Sequence, residues 1–196
     1  NKNPLLATLK AKWADEKFRK KFDNYLFFGL IAVILIYGGF KTVQIRNKQS
    51  ITKLTESVEI LKKQTKEDNP NATDLDFETK KQKYEAALNS LDTVIRKNKF
   101  TKGEKIAKFF KGLVLIELAK YEEAQKALKE FTASNEKSAF APLAQMNLGV
   151  TYEYQEEFEK AEKVYKKGLE KYKGTVYEPY FAYYLSLTYE IQKKND

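Results

Sequence analysis

A pattern of aromatic, alanine and small residues recurs along this chain at a spacing of 37. Aromatic residues occupy positions 84, 121 and 158, and an alanine follows each of them three places later. A second set with the same period consists of Gly112, Gly149 and Ser186. Two interleaved sets with one period indicate a stack of similar units.

Each unit has the character of a helix–turn–helix. No segment after Glu78 alternates apolar and polar residues as a strand does, and breakers such as Gly103, Pro142 and Gly174 are few. In the first helix, the small residue allows close approach of its partner, and a larger residue three places later fills the space on the same face. In the second helix a large residue follows the alanine by four. This residue is Leu91, Leu128 or Tyr165 in the successive units. We therefore predict an all-α fold.

These residues resemble the tetratricopeptide repeat. The copy that matches best contains Leu148, Gly149, Tyr152, Phe158, Ala161, Tyr165 and Gly168. The copy before it has Lys111 at the leucine position. The earliest copy retains only its second helix, and the last, with Leu185, Ser186 and Tyr189, only its first. The resemblance covers residues 80–192 and implies a short α-solenoid of three to four helix pairs within a domain at 78–196.

The resemblance also implies a concave groove lined by the first helices of the pairs. Carried over by position, its residues are Phe109, Leu113, Glu117, Met146, Val150, Glu153, Tyr183, Leu187 and Glu190. Such a groove is apolar with a sparse row of acids, which suits an amphipathic or unfolded protein segment. The alternative is that several of these residues form the core between helices.

Tyrosines crowd the last predicted helix. A polar capping helix usually closes a solenoid, and we expect none after this one. Tyrosine tolerates half-exposure and is enriched at interfaces. We therefore expect a partner protein, or a second copy in a homo-oligomer, to cover the predicted C-terminal interface, which consists of Tyr177, Tyr180, Phe181 and Tyr184.

Residues 24–40 form an uncharged stretch of seventeen residues with lysines on both sides. As a helix it is about 25 Å long, and flanking lysines can extend their charges to the interface of a bilayer about 30 Å thick. We predict a transmembrane helix that anchors the chain in a lipid bilayer. A buried core helix and a cleaved signal peptide are the alternatives.

The charges around this stretch predict its orientation. Residues 1–23 carry seven Lys or Arg, against four in residues 41–60, so the positive-inside rule places the basic tail, 1–23, in the cytoplasm. The tail also contains apolar residues that could lie on the membrane surface or belong to a solvated helix. These residues are Leu5, Leu9, Trp13, Phe18 and Phe22.

A connecting helix is predicted at 41–66, followed by a polar loop at 67–77 with turn residues around Pro70. Ile51, Leu54, Val58 and Leu61 form a narrow apolar stripe on this helix. The stripe must pack against the following helices or against a second copy in a coiled coil.

The composition excludes several functions. The chain has no cysteine and no histidine, which excludes disulfides, thiolate and imidazole chemistry and His-ligated metals. No cluster of residues resembles a catalytic site, so we expect no enzyme activity, no cofactor and no metal. The net charge is +6 in residues 1–46 and +3 in residues 47–196, where both signs are interspersed. This argues against nucleic-acid binding.

The whole arrangement resembles a narrower family, the YfgM-type proteins. The resemblance rests on Leu9 to Trp13, the span, Gly39 and Phe40, and the small repeat domain that follows. It implies an ancillary, chaperone-like subunit of the bacterial Sec translocon, anchored in the inner membrane with its repeat domain in the periplasm. Flagellar-collar components share the layout, which leaves a scaffold of a flagellar or division complex as the alternative.

Overall fold

The structure, a computed structural model, describes residues 12–71, 73 and 75–195. Leu5 and Leu9 of the predicted amphipathic segment lie outside these residues. The described chain is helical without a β-strand, as predicted. Its long helices are α1 (Glu16–Lys62), α2 (Lys80–Lys97), α3 (Lys102–Glu117), α4 (Tyr121–Ser134), α5 (Ala141–Glu153), α6 (Phe158–Lys171) and α7 (Glu178–Asn195). The chain divides into two compact units, Asn1–Ile45 and Arg46–Asp196.

The first unit contains the apolar part of α1. Among the described residues, α1 is one helix long and apolar enough to cross a membrane, with a mean hydropathy of 2.0 over its most apolar stretch. None of that stretch is buried in the protein, unlike a helix in a soluble core. Near the start of the unit, the Trp13 ring packs edge-on against Phe22, with centroids 5.1 Å apart.

In the second unit, the end of α1 is a structural helix of the repeat domain. Leu54 is buried in a core cluster with Leu91 and Val94 of α2 and Val114 of α3. Of the two packings predicted for the apolar stripe, the structure shows the one against the following helices. The buried face differs from the predicted stripe, because Ile51 is 37 % exposed whereas its neighbour Ser50 is completely buried.

Two serines bring α1 close to its neighbours. The hydroxyl of Ser57 is 2.7 Å from that of Ser90 on α2. The Ser50 hydroxyl accepts a hydrogen bond of 3.2 Å from the backbone nitrogen of Gly103, in the first turn of α3. Residues 46–62 thus occupy the position of the first helix in the earliest repeat, for which the sequence pattern shows only the second helix.

A long connection leads from α1 to α2. The helix α1 ends at Lys62, and the chain from there to Thr79 is held by the Asp68 carboxylate, which accepts hydrogen bonds from the backbone nitrogen and hydroxyl of Thr65 at 3.1 and 2.9 Å. Lys83 is buried and donates to the carbonyl of Lys63 at 3.1 Å. Thr79 then begins α2 with a capping box.

The remaining helices pack as the repeat predicts. α3 pairs with α4, α5 pairs with α6, and α7 packs on α6. A methyl group on Gly112 would lie 2.6 Å from Leu128 of the partner helix, and one on Gly149 would overlap the Tyr165 ring. A methyl group on Gly168 would likewise overlap the ring of Phe181. Small residues thus admit a large side chain at each level of the stack.

Candidate protein-binding surfaces

An open groove of about 1030 Å³ lies between α5, the turn after it, the start of α6, and α7. Its walls combine aromatic and aliphatic side chains with two carboxylates. The lining residues are Val150, Glu153, Tyr154, Glu156, Phe158, Tyr184 and Ile191. The arrangement can receive an apolar side chain and, beside it, a positive charge.

The carboxylate of Glu153 is held in one position by two buried hydroxyls. Thr188 on α7 donates a hydrogen bond of 2.6 Å to one carboxylate oxygen, and Tyr165 on α6 donates one of 3.1 Å to the other. Both donors are completely buried, while Glu153 itself is half-buried and reaches the groove. Three helices therefore meet at one acceptor whose orientation is fixed before any partner arrives.

The surroundings of Tyr165 keep it neutral. Burial and the neighbouring carboxylate of Glu153 both disfavour the phenolate and raise the pKa of Tyr165 well above its usual value of 10.0. The ring also stacks on Tyr184, with centroids 5.5 Å apart. A neutral hydroxyl is a dependable donor to Glu153 across the physiological pH range.

The predicted groove residues fall into three groups. Val150 and Glu153 line the groove. Phe109 and Met146 are 3 and 6 % exposed and lie in the core cluster, with Leu113 packed against it. The others lie on α3 and α7, where Glu117, Tyr183 and Glu190 are exposed and Leu187 is half-buried. The structure therefore brings part of the predicted set together and places another part between the helices, as the alternative interpretation stated.

The burial of Phe109 has a local cause. The connection between α4 and α5 folds Phe140 over it, with the rings stacked 5.1 Å apart, and Phe131 of α4 lies 5.6 Å away on another side. The core here includes a position that the repeat pattern assigns to a surface.

The predicted C-terminal interface is also divided. Phe181 is completely buried and stacks on Tyr172, with centroids 5.4 Å apart. Tyr177 packs edge-on against Tyr172, and Tyr184 packs on Tyr165. Tyr180 is 58 % exposed, and the adjacent Tyr183 is 62 % exposed. Of the tyrosines on α7, these two are therefore the most accessible to a partner.

Sequence reasoning missed four lining residues, namely Tyr154, Glu156, Phe158 and Ile191. The period of 37 could have indicated two of them, Phe158 and Glu156. Phe158 lies one period after Tyr121, whose ring stacks on Tyr154 with centroids 5.1 Å apart. The turn around Glu156, which has a φ of 58°, repeats the turn around Ala119 with its φ of 54°. Turn residues at periodic positions therefore contribute to the groove together with the first helices.

Among the side chains that the structure describes, no three Asp or Glu residues converge as metal ligands do. In the comparison with known families, residues 111–174 match the model described as tetratricopeptide repeat. No curated protein and no solved structure matches the chain. The match extends from α3 to the turn after α6, and thus includes the small–large contacts of Gly112 and Gly149. This chain contains a tetratricopeptide repeat over residues 111–174.

Proposed function

We propose that this chain is a non-enzymatic, membrane-anchored protein that binds other proteins through its repeat domain. Residues 24–40 would cross the inner membrane of a bacterium, with the tail 1–23 in the cytoplasm and the repeat domain on the extracytoplasmic side. The partner would be a subunit or client of a membrane complex such as the Sec translocon, to which the chain would be an ancillary, chaperone-like subunit.

The proposal that the chain binds other proteins rests on the groove beside Glu153. Tetratricopeptide repeats are typically protein-binding modules, and this groove combines apolar walls with a carboxylate held by Thr188 and Tyr165. A preorganised acceptor reduces the entropy that binding must overcome. An amphipathic segment that presents a lysine or arginine beside an apolar residue has the complementary chemistry.

The proposal of a membrane anchor rests on the apolar stretch of α1. The proposal that the anchor holds the repeat domain near the membrane rests on the few residues between the two. Five residues, 41–45, separate the proposed span from the unit that begins at Arg46. Even a fully extended chain spans only about 20 Å between Phe40 and Arg46. Confinement of this kind raises the effective concentration of the repeat domain toward partners in the same membrane.

A photocrosslinking residue in place of Tyr154 tests the groove. Tyr154 is 58 % exposed and lines the groove, whereas the control position, Glu130 on α4, is exposed outside it. We expect adducts from position 154 in native membranes, and several-fold fewer when Glu156→Gln removes a groove charge. Equal adducts from 154 and 130 would show that the groove is not the binding site.

The identity of the crosslinked protein separates the two biological roles. Translocon subunits or chaperones among the adducts would support the ancillary role. Motor, collar or division proteins would instead support the structural scaffold.

Membrane orientation can be tested by labelling introduced cysteines, because the chain contains no cysteine of its own that would react. A single cysteine at exposed Lys173 should react with an impermeant maleimide in intact spheroplasts, and one at exposed Lys17 only after permeabilisation. The opposite pattern of labelling would reverse the proposed orientation.

A further inference from the structure

The turn between α2 and α3 presents an unusual aromatic residue. Phe100 is 90 % exposed and has a φ of 65°, in the left-handed region that phenylalanine rarely adopts. Burial of the ring does not offset this strain, because so little of it is covered. A strained and exposed apolar side chain suggests a role outside the fold.

The repeat itself supplies the comparison for this turn. Two periods later lies Gly174, with a φ of 73°. In both turns the residue donates its backbone N–H to a glutamate four places on, Glu104 in one case and Glu178 in the other. In both, the threonine that follows donates its hydroxyl to a carbonyl three residues earlier, at 2.6 Å. Glycine meets the demand of this turn without strain, so the fold does not require phenylalanine at position 100.

Basic residues surround Phe100. Residues 96–105 carry five Lys or Arg and one acid, a net charge of +4, which exceeds the +3 of the whole segment 47–196. The basic residues are Arg96, Lys97, Lys99, Lys102 and Lys105, and all five are exposed. Within the described chain none of them forms an ion pair, whereas Glu104 is paired with Lys108. The charge of this turn is therefore free to meet an anionic surface.

The turn is hydrogen-bonded to the part of α1 at which the second compact unit begins. Arg46 donates to the carbonyl of Lys99 at 3.1 Å, and the backbone nitrogen of Lys102 donates to the Asn47 side chain at 2.9 Å. Arg46 is the sixth residue after Phe40, the last residue of the proposed span. If that span lies in the bilayer, the chain cannot carry the turn far from the lipid headgroups.

We propose that the α2–α3 turn is a second membrane contact, in which Phe100 enters the interface of an anionic lipid surface and the surrounding lysines bind the headgroups. Phenylalanine, like tryptophan and leucine, enters the boundary between headgroups and acyl chains in segments that lie at a membrane surface, and each basic residue near the surface adds attraction to anionic lipid. The inference rests on the proposed anchor at 24–40 and specifies how the repeat domain would be held against the membrane.

The absence of cysteine allows a direct test in the full chain, reconstituted in vesicles of phosphatidylglycerol and phosphatidylcholine. An environment-sensitive fluorophore is attached at Phe100→Cys, or at Val176→Cys as control. Val176 is also apolar and exposed, in the turn two periods later. We expect quenching by a lipid with a headgroup-depth spin label to be at least threefold stronger at 100 than at 176. In vesicles of pure phosphatidylcholine, quenching at 100 should decrease toward the value at 176. The double variant Lys99→Gln and Lys102→Gln should have the same effect in the anionic vesicles.

A third label, at Leu30→Cys, separates the two proposals. Quenching at 30 by a lipid labelled deep in its acyl chain, together with equal quenching at 100 and 176, overturns the second contact and leaves the anchor. No quenching at 30 overturns the anchor itself and the contact with it.

The ring is tested separately with the label at Lys102→Cys. Phe100→Gly should retain the melting temperature, because glycine suits the left-handed backbone, and should reduce quenching at 102 at least twofold. Unchanged quenching in a folded Phe100→Gly chain would also overturn the role of the ring.

Discussion

The backbone of Gly103 lies against Ser50 so closely that a methyl group at position 103 would be 2.5 Å from the Ser50 carbonyl carbon. Gly103→Ala therefore forces α1 and α3 apart. Overpacking of this kind costs about 1–3 kcal/mol, which outweighs the gain of up to about 1 kcal/mol that alanine provides in a helix. We expect a lower melting temperature for the full chain in detergent, measured by circular dichroism.

Lys105→Ala is the matched control for Gly103→Ala. Lys105 is exposed in the same helix, so its removal should change the free energy of unfolding by less than about 0.5 kcal/mol. Equal melting temperatures for the two variants would mean that α1 does not pack on α3 at Ser50.

Gly149→Ala is expected to destabilise the best-conforming repeat unit by about 1–3 kcal/mol, because the new methyl group overlaps the Tyr165 ring. Tyr165→Ala in the same chain removes the ring that the new methyl group would meet. The double variant should then lose less stability than the sum of the two single variants, in denaturant unfolding. Simple additivity would contradict the contact.

Stability at alkaline pH tests the environment of Tyr165. Its pKa is raised above 10.0 by burial and by Glu153, so the folded protein keeps the phenolic proton at a pH where the unfolded chain releases it. The stabilisation is complete below pH 10 and is lost as the pH rises further. Above pH 10, the free energy of unfolding should therefore fall less steeply in Tyr165→Phe than in the original chain, by up to about 1.4 kcal/mol per pH unit.

The measurement compares melting temperatures from pH 8 to pH 11. Tyr84 and Tyr172, whose pKa values burial also raises, remain in both chains and provide a common background. The same slope above pH 10 in both chains would show that Tyr165 is not the group that resists ionisation.

Asp68→Asn is expected to loosen the connection between α1 and α2. Lys80, followed by Thr65, lowers the pKa of Asp68, so the carboxylate stabilises this segment above pH 3.8 and the effect is lost as the pH falls through its lowered pKa. Hydrogen exchange at neutral pH should become faster at the amides of Thr65 and Asn69. In contrast, Asp76→Asn should leave these amides unchanged, because the carboxylate of Asp76 is paired with the side chain of Lys63 at the surface.

The sequence was sufficient to predict the helix pairs, because glycine and alanine at fixed spacing mark where helices approach. It was not sufficient for the first pair. There the close contacts are made by Ser50 and Ser57, which do not stand out as glycine does, and the connection of residues 63–79 hides the period.

The candidate site was predicted only in part, for a similar reason. The repeat pattern assigns Phe109 to the groove by position, but the ring of Phe140 arrives from an irregular connection that no periodicity describes. Glu153 could be placed in the groove from its position. Its two hydroxyl partners could not, since Thr188 lies 35 residues further along the chain.

The helix α1 contains both the proposed membrane span and the first helix that packs in the repeat domain, which limits where the two can be separated. A fragment that begins at residue 46 keeps Ser50, Leu54 and Ser57 in place against α2 and α3. A fragment that begins at residue 78, where the repeat pattern starts, uncovers Ala87 and Leu91, which are completely buried in the whole chain. A fragment without the proposed span must therefore be cut inside the long helix, before Ser50, and not in the loop that follows it.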